Sequence, residues 1–349
     1  MRTFRPTKRG MRTLRSCDQH QLCKMAALDR VVLLSFLFQA SNAVDSLRFL
    51  IVGDMGGLPI SPYSTYFERC TAKEMGNVAD RYAPQYIIEL GDNFYFTGVD
   101  NVTDPRFKQT FEDVYTAESL QVPWYLIAGN HDHCGNASAQ IQYTKHSERW
   151  NFPDFYYYKE FPIKGSDKFM GILFIDTILL CGNTEDDRST EPPKGPADLI
   201  KADEQWNFIN KTLQTSKAHY LLVAGHYPVY SIAEHGPTKC LVDKLQPMLD
   251  KYNVNGYLCG HDHNLQHLQV TSSKGNLIDY YLSGMANFVD FRESHKNDVP
   301  KNSLKFHYAN IFSKGGFLYT EATAQNMTLT FINALGERLY TNVIYPRKI

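Results

Sequence analysis

Seven side chains able to donate to a cation recur at similar places along this chain: Asp54, Asp92, Tyr95, Asn130, His226, His261 and His263. Each follows an apolar run and sits in a turn that carries glycine. The runs are 47–53, 85–90, 122–128, 220–224 and 254–259. The turns that close them read Asp54-Met55-Gly56-Gly57, Gly91-Asp92-Asn93, Gly129-Asn130-His131-Asp132, Gly225-His226 and Gly260-His261-Asp262-His263. Carboxylates, imidazoles, an amide and a phenolate are all metal donors, too many for one ion and suited to two. Two cations about 3.5–4 Å apart need a shared ligand, and together they clamp the attacking and leaving oxygens of a displacement. An aspartate with two oxygens can be shared, and Asp92 is best placed for it. Singly these motifs are bland, since Asp-x-Gly and Gly-Asp-Asn are ordinary turn chemistry. Their ordered recurrence after five apolar runs is what points to a site. Alternation across His261-Asp262-His263 places both imidazoles on one side of an extended chain and turns Asp262 to the other.

The elements that must hold these donors alternate strand and helix. Periodicity predicts helices over 66–82, 203–216 and 240–251, and a further strand over 169–176. Beyond residue 263 helices fade, and 266–271, 278–283, 316–322 and 327–332 read as strands of a sheet edge. The stretch 181–198 is the one long polar loop. In open α/β sheets, ligands gather beyond the carboxyl ends of the strands, where these turns lie. The pattern predicts one α/β domain over residues 44–349, a sandwich of two mixed β-sheets flanked by helices.

Composition bounds the class. The 349 residues are 43% hydrophobic and 21% charged, ordinary for a globular protein, with aromatics high at 13%. Net charge is -1, but residues 1–43 hold eight Lys or Arg and two acids. Removing these from 36 basic and 37 acidic residues leaves 28 and 35, a mildly acidic body. No basic stripe with interleaved aromatics suggests nucleic acid. Met25 to Ala43 reads as a secretory signal, with Arg30, the apolar run Val31 to Phe38 and small residues at Ser41-Asn42-Ala43. That run is too short for a stable membrane span. Residues 1–43 are therefore expected to be removed. Sequons at Asn101, Asn136, Asn210 and Asn326 fit an exported chain. Outside the leader stand Cys70, Cys134, Cys181, Cys240 and Cys259. Cys181 and Cys240 adjoin loop-like sequence and can form a disulfide, and Cys259 in its apolar strand is expected to be a buried thiol.

These blocks resemble the metallophosphoesterases, whose pattern is D-x-G, G-D-x-x, G-N-H-[DE], G-H and G-H-x-H. Tyr95 in the second block narrows the likeness to the purple acid phosphatases, and Gly91–Thr97, Ala128–His133, Val223–Pro237 and Leu258–Leu265 to their tartrate-resistant type. The likeness runs from about residue 47 to 340. It implies a secreted or lysosomal acid phosphatase, a monomer, hydrolysing phosphate monoesters by attack of a metal-bound hydroxide. It also implies a ferric ion on Asp54, Tyr95, His263 and bridging Asp92, with a divalent ion on Asn130, His226, His261 and the same Asp92. The second ion is expected to be iron, with zinc or manganese as alternatives.

Under this resemblance His131 and His235 become the catalytic candidates, for phosphate binding and protonation of the leaving group; without it, His235 reads as a surface-loop histidine. A histidine protonated at mildly acidic pH does both jobs. Asp262 is expected to support its neighbours, and His133 and His267 to be scaffold or surface. The loop 181–198 resembles the exposed loop that covers the family's active site and is a target for an activating protease. There Glu185, Asp186 and Asp187 would compete with anionic substrate. Cys70 and Cys134 depart from the family pattern, either as an extra disulfide or as thiols. Two rival readings are a metallophosphodiesterase or protein phosphatase of the wider superfamily, and a secreted binding or signalling protein on an inactive scaffold. The protein phosphatases carry an arginine-bearing block where this chain reads Gly91-Asp92-Asn93-Phe94-Tyr95, and the inactive scaffold conflicts with seven intact donors.

Overall fold

The computed structural model of the protein describes residues 45–184 and 192–348. The expected leader lies outside them, as do Glu185, Asp186 and Asp187. The strands are β1 (Leu47–Val52), β2 (Tyr86–Glu89), β3 (Trp124–Tyr125), β4 (Trp150–Asn151), β5 (Tyr157–Pro162), β6 (Phe169–Phe174), β7 (Tyr220–Ala224), β8 (Gly256–Cys259), β9 (Leu265–Thr271), β10 (Leu277–Ser283), β11 (Leu304–Tyr308), β12 (Gly316–Ala322), β13 (Met327–Asn333) and β14 (Arg338–Ile344). The helices are α1 (Tyr66–Tyr82), α2 (Asn130–His133), α3 (Ala137–Tyr143), α4 (Thr177–Cys181), α5 (Leu199–Thr215) and α6 (Lys239–Lys251).

Two seven-stranded sheets result, ordered β14-β13-β12-β1-β2-β3-β4 and β11-β9-β10-β8-β7-β6-β5. Each has a parallel half, β1 to β4 in one and β10-β8-β7-β6 in the other. Each also has an antiparallel wing. Strands of the parallel halves are buried on both faces, so they read as unbroken apolar runs such as Tyr220–Ala224. Phe49, Ile51, Met170, Ile172 and Phe331 fill the layer between the sheets. A second cluster with Met75 and Val78 packs α1 on the first sheet, and a third with Ile209 and Leu245 packs α5 and α6 on the second. The predicted sandwich of mixed sheets flanked by helices is what forms.

Details differ from the sequence reading. The run 122–128 pairs as a strand only over Trp124 and Tyr125, beside the two-residue β4. Helix α5 begins at Leu199, four residues before its periodicity shows. Asp198 caps it, accepting from Ile200 N (3.0 Å) and Lys201 N (3.1 Å), while exposed Leu199 and Ile200 break the amphipathic pattern. The strands expected at a sheet edge are internal: β12 lies between β1 and β13, and β10 between β8 and β9. Cys181 and Cys240 form a disulfide joining α4 to α6, with their Cα atoms 5.7 Å apart. Cys70 and Cys134 are not joined to each other, and Cys259 is a buried thiol, as expected. No helix among the described residues is long and apolar enough to cross a membrane.

Candidate metal centre

All seven expected donors come together beyond the carboxyl ends of β1, β2, β3, β7 and β8. The turns are tight. Asp54 (φ 61°), Asp92 (φ 57°) and His261 (φ 73°) hold left-handed backbone, which costs a non-glycine residue energy and persists where the surroundings enforce it. Gly129 is required by proximity, since a Cβ there would stand 2.1 Å from Asp92 Oδ1. A Cβ on Gly260 would meet Asp54 Oδ2 at 2.3 Å. Because His261 is left-handed, its segment is a turn. The simple alternation expected across 261–263 therefore does not describe it, although Asp262 does face away from the centre.

The donors form two groups. In one, Tyr95 OH lies 3.0 Å from Asp54 Oδ1 and 2.9 Å from His263 Nε2, with His263 Nε2 3.7 Å from Asp54. In the other, His226 Nε2 lies 2.9 Å from Asn130 Oδ1 and 3.4 Å from Asp92 Oδ2. Ligand atoms of Asp92, His226 and His261 all fall within 4.8 Å of one another. Asp92 also accepts from His131 N through Oδ1 (3.0 Å). The carbonyl of Leu90 takes the Nδ1 proton of His226 (2.8 Å) and leaves Nε2 facing the centre.

The electrostatics suit cations. Burial pushes the Asp54 carboxyl well above its usual range despite His226. Burial and the Asp54 and Asp92 carboxylates likewise raise the Tyr95 phenol. Burial would raise Asp92 too, but His226 and His131 overcome it and hold Asp92 well below the usual range. Burial opposes charge on His226, yet Asp92 wins and lifts it to about 9. Burial and the neighbouring imidazoles drive His261 far down, and burial takes His263 to about 3. Asp54 and Tyr95 thus resist ionising, His261 and His263 are kept neutral, and Asp92 and His226 lean on each other's charge, a donor set that positive ions would satisfy. The residues fit two metal ions.

Around the donors lie the other nominated residues. His131 is 6% exposed; its Nδ1–H donates to Phe96 O (2.8 Å) and its Nε2 stands 4.0 Å from Asp92 Oδ2. The His235 ring centre is 4.2 Å from that of His261, so the loop histidine does reach the centre. Asp262 holds it there, accepting from His235 N (3.1 Å) and from the Ser231 hydroxyl. His133 and His267 are scaffold, bonded to Asp176 and Asp279. Thr184, Pro192 and Pro193, the described ends of the polar loop, share a small crevice with His235 and His261. Asn183 donates to Asn130 O (3.2 Å).

Other supporting residues went unassigned in the sequence. Asp132 is buried and accepts from Gly129 N (2.8 Å), Asn93 N (3.1 Å), Phe94 N (3.2 Å) and Gln140 Nε2 (2.7 Å), tying the second turn to the third. Its place at the end of Gly-Asn-His-Asp was a signal. Arg106 is 5% exposed and donates to Gly56 O (2.6 Å) and Gly98 O (3.1 Å), fastening the loops of Asp54 and Tyr95. Nothing local marks it. Phe288 packs on Tyr95 and His263 and, with Phe96, Phe291 and Arg292, lines an open trough of about 540 Å³ leading to the centre.

Comparison with known proteins agrees with this geometry. Residues 47–265 match the family model described as calcineurin-like phosphoesterase. Tartrate-resistant acid phosphatase type 5 of Homo sapiens is 48% identical over 310 residues, covering 88% of this chain and 94% of the relative. The same enzyme of Oryctolagus cuniculus is 50% identical over 302 residues, covering 86% and 91%. Among solved structures, GAP50, the anchor in the inner membrane complex of Plasmodium, aligns with a TM-score of 0.71 at 23% identity, covering 87% of this chain and 90% of that one. Purple acid phosphatase PPD1 from yellow lupin aligns with a TM-score of 0.60 at 17% identity, over 86% and 54%. At these identities the two structures bear on the fold alone.

Proposed function

Since this chain belongs to the calcineurin-like phosphoesterases, and within them to the tartrate-resistant acid phosphatase type 5 family, we propose that it hydrolyses phosphate monoesters at a two-metal centre bridged by Asp92. It is an acid phosphatase. Asp54, Tyr95 and His263 would hold one ion, which a phenolate donor suits to Fe(III). Asn130, His226 and His261 would hold the other, a neutral set fitted to a divalent ion such as Fe(II), zinc or manganese. The observation that carries this reading is the division of six donors into two groups, with Asp92 beside His226 and His261 of one and hydrogen-bonded to Tyr95 of the other.

When bound, the ion pair supplies a water of lowered pKa and neutralises charge on the phosphoryl oxygens. The chain's own residues do the rest. His131, its ring fixed by the Phe96 carbonyl, offers Nε2 to a phosphoryl oxygen. His235 gives a proton to the leaving oxygen and is oriented by Asp262 through its backbone N–H. Phe288 and Phe96 cover the open side of Tyr95 and keep bulk water from the phenol. The trough beside His263 admits the body of the substrate.

The polar loop 181–198 restrains access, and its cleavage by a protease raises turnover. Its described ends border His235 and His261. Equal turnover of nicked and intact protein would end that idea. The leader is removed on export to a lysosomal or extracellular site, in keeping with the Cys181–Cys240 disulfide. Glycans attach most readily at Asn101 and Asn136, which are exposed.

A visible spectrum of the purified protein, with iron, zinc and manganese counted on the same sample, tests the central reading. A broad band that vanishes in Tyr95→Phe is the expected result. A colourless protein holding two zinc or manganese ions keeps the phosphatase and removes the ferric assignment. A colourless protein that takes up no metal overturns both.

A further inference from the structure

The chain between β10 and β11, residues 284–303, forms neither helix nor strand. Connections longer than about 12–15 residues without secondary structure are uncommon inside compact domains and are usually functional. This one touches three loops of the metal centre. Asn287 Nδ2 donates to Gly57 O (2.9 Å), in the turn that Asp54 opens. Asp290 N donates to His263 O (2.8 Å). His295 N donates to Ile232 O (3.0 Å), in the loop that carries His235. The His295 ring packs so closely on Gly236 that a Cβ there would stand 2.5 Å from its Cγ.

Arg292 joins two of these loops through its side chain. Its guanidinium pairs with both oxygens of Glu234, the residue before His235. The same guanidinium donates through Nε to Asp290 Oδ1 (2.9 Å) and Oδ2 (3.0 Å), and its Nη2 lies 2.9 Å from Asp290 Oδ2. The Glu234 and Asp290 side chains are drawn largely out of water, 16% and 15% exposed. Among the described residues no other cation pairs with either carboxylate. A planar fork serves two carboxylates at fixed angles, which a point-like ammonium does not. The link matters because of how His235 is held. Its backbone N–H is bonded to Asp262 (3.1 Å), but its ring makes no hydrogen bond to a described residue. The ring reaches His261, 4.2 Å between centres, because the backbone of 231–237 carries it there. A half-exposed ion pair adds little to stability. A misplacement of about 1 Å, by contrast, can cost about 10²-fold in rate.

We propose that Arg292 is a positioning residue: by holding Glu234 and Asp290 at once, it clasps the loop that carries His235 to the turn that carries His263, and so sets the His235 ring at the metal centre. The inference rests on the assignment of His235 as proton donor in the proposed function. The buried Asp262 fixes the His235 loop from within, and Arg292 fixes it from the side of the open trough that it lines. Cutting the clasp frees Glu234 to turn toward solvent and lets His235 drift from the leaving oxygen. Phosphate binding, which falls to the ions and His131, stays intact.

Arg292→Gln and Glu234→Gln break the clasp from its two sides and are compared with the unaltered, metal-loaded protein. Each is expected to lower kcat for an alkyl phosphate by about tenfold or more with KM little changed, the scale on which supporting residues act. Turnover of p-nitrophenyl phosphate, whose leaving oxygen needs little protonation, should hold. Arg292→Lys should recover part of the loss. Added to His235→Asn, Arg292→Gln should cost nothing further, because the two act through one proton. Hydrogen exchange gives a reading that needs no activity. The amide of His235 should exchange about tenfold faster in both variants, with the amides of β7 and β8 unchanged. Unchanged exchange at His235 overturns the clasp. Undiminished kcat on the alkyl phosphate, equal losses on the two substrates, or a full further loss in the His235→Asn background overturns the positioning role. An unaltered protein inactive on both substrates would instead fail the phosphatase reading, and exchange alone would then judge the clasp.

Discussion

The phenol oxygen of Tyr95 lies 3.0 Å from Oδ1 of Asp54, a residue 41 positions earlier and on a different strand end. Asp92, in the same turn as Tyr95, also faces His226 (3.4 Å) and accepts from His131 N (3.0 Å). Removing Tyr95 or Asp54 is therefore expected to empty one metal position and spare the other. Metal counts on Asp54→Asn and Tyr95→Phe should fall toward one ion per chain. Asp92→Asn should lose both. Equal loss in all three would mean that the donors act as one undivided site.

The proton that His235 supplies matters most when the leaving group is a poor one. His235→Asn should reduce kcat/KM for an alkyl phosphate by about 10²–10⁴-fold, the usual worth of a placed general acid. Its effect on p-nitrophenyl phosphate, whose leaving oxygen needs little help, should be much smaller. Equal losses on the two substrates would assign His235 to phosphate binding alone.

His133 makes a pH-dependent contribution to stability. Burial alone would lower its pKa, but Asp176, 2.7 Å from Nε2, and Asp132 outweigh both burial and the opposing charge of His226, so it is raised above 6.5. A histidine raised in the folded state stabilises the fold fully below its unfolded pKa, near 6.5, and loses that contribution as pH rises through the folded value. The stability gap between the unaltered protein and His133→Gln should thus be wider at pH 5.5 than at pH 9, read from denaturation midpoints. A gap that widens with rising pH would contradict the pairing.

Arg106 fastens the Asp54 loop to the Tyr95 loop through two carbonyls and touches no donor side chain. Arg106→Gln is expected to lower kcat by about 10–100-fold, the scale on which supporting residues act, and to shift the tyrosinate absorption band. Arg106→Lys keeps the charge without the two-pronged geometry and should restore only part of each. A fully active Arg106→Gln with an unmoved band would reduce the residue to packing.

The sequence by itself singled out the seven donors that the fold brings together and showed where each sits along the chain. That was legible because every donor follows its strand within a few residues, and strand, glycine and polar turn form a local pattern. It fixed the alternation of layers for the same reason, since buried parallel strands must read as apolar runs. It misplaced β10 and β12 at an edge, because pairing partners are chosen across the sheet and leave no mark on the strand itself.

Tertiary structure alone decided how the donors divide. His263 joins Tyr95 across 168 residues and His226 joins Asn130 across 96, distances that no spacing rule spans. It also gave Asp262 its task of holding His235 and made Arg106 a clasp between two loops. Each of these depends on what burial brings alongside a side chain. A buried polar group must find its partner wherever the fold supplies one, and that choice is made in space, after the local pattern has been spent.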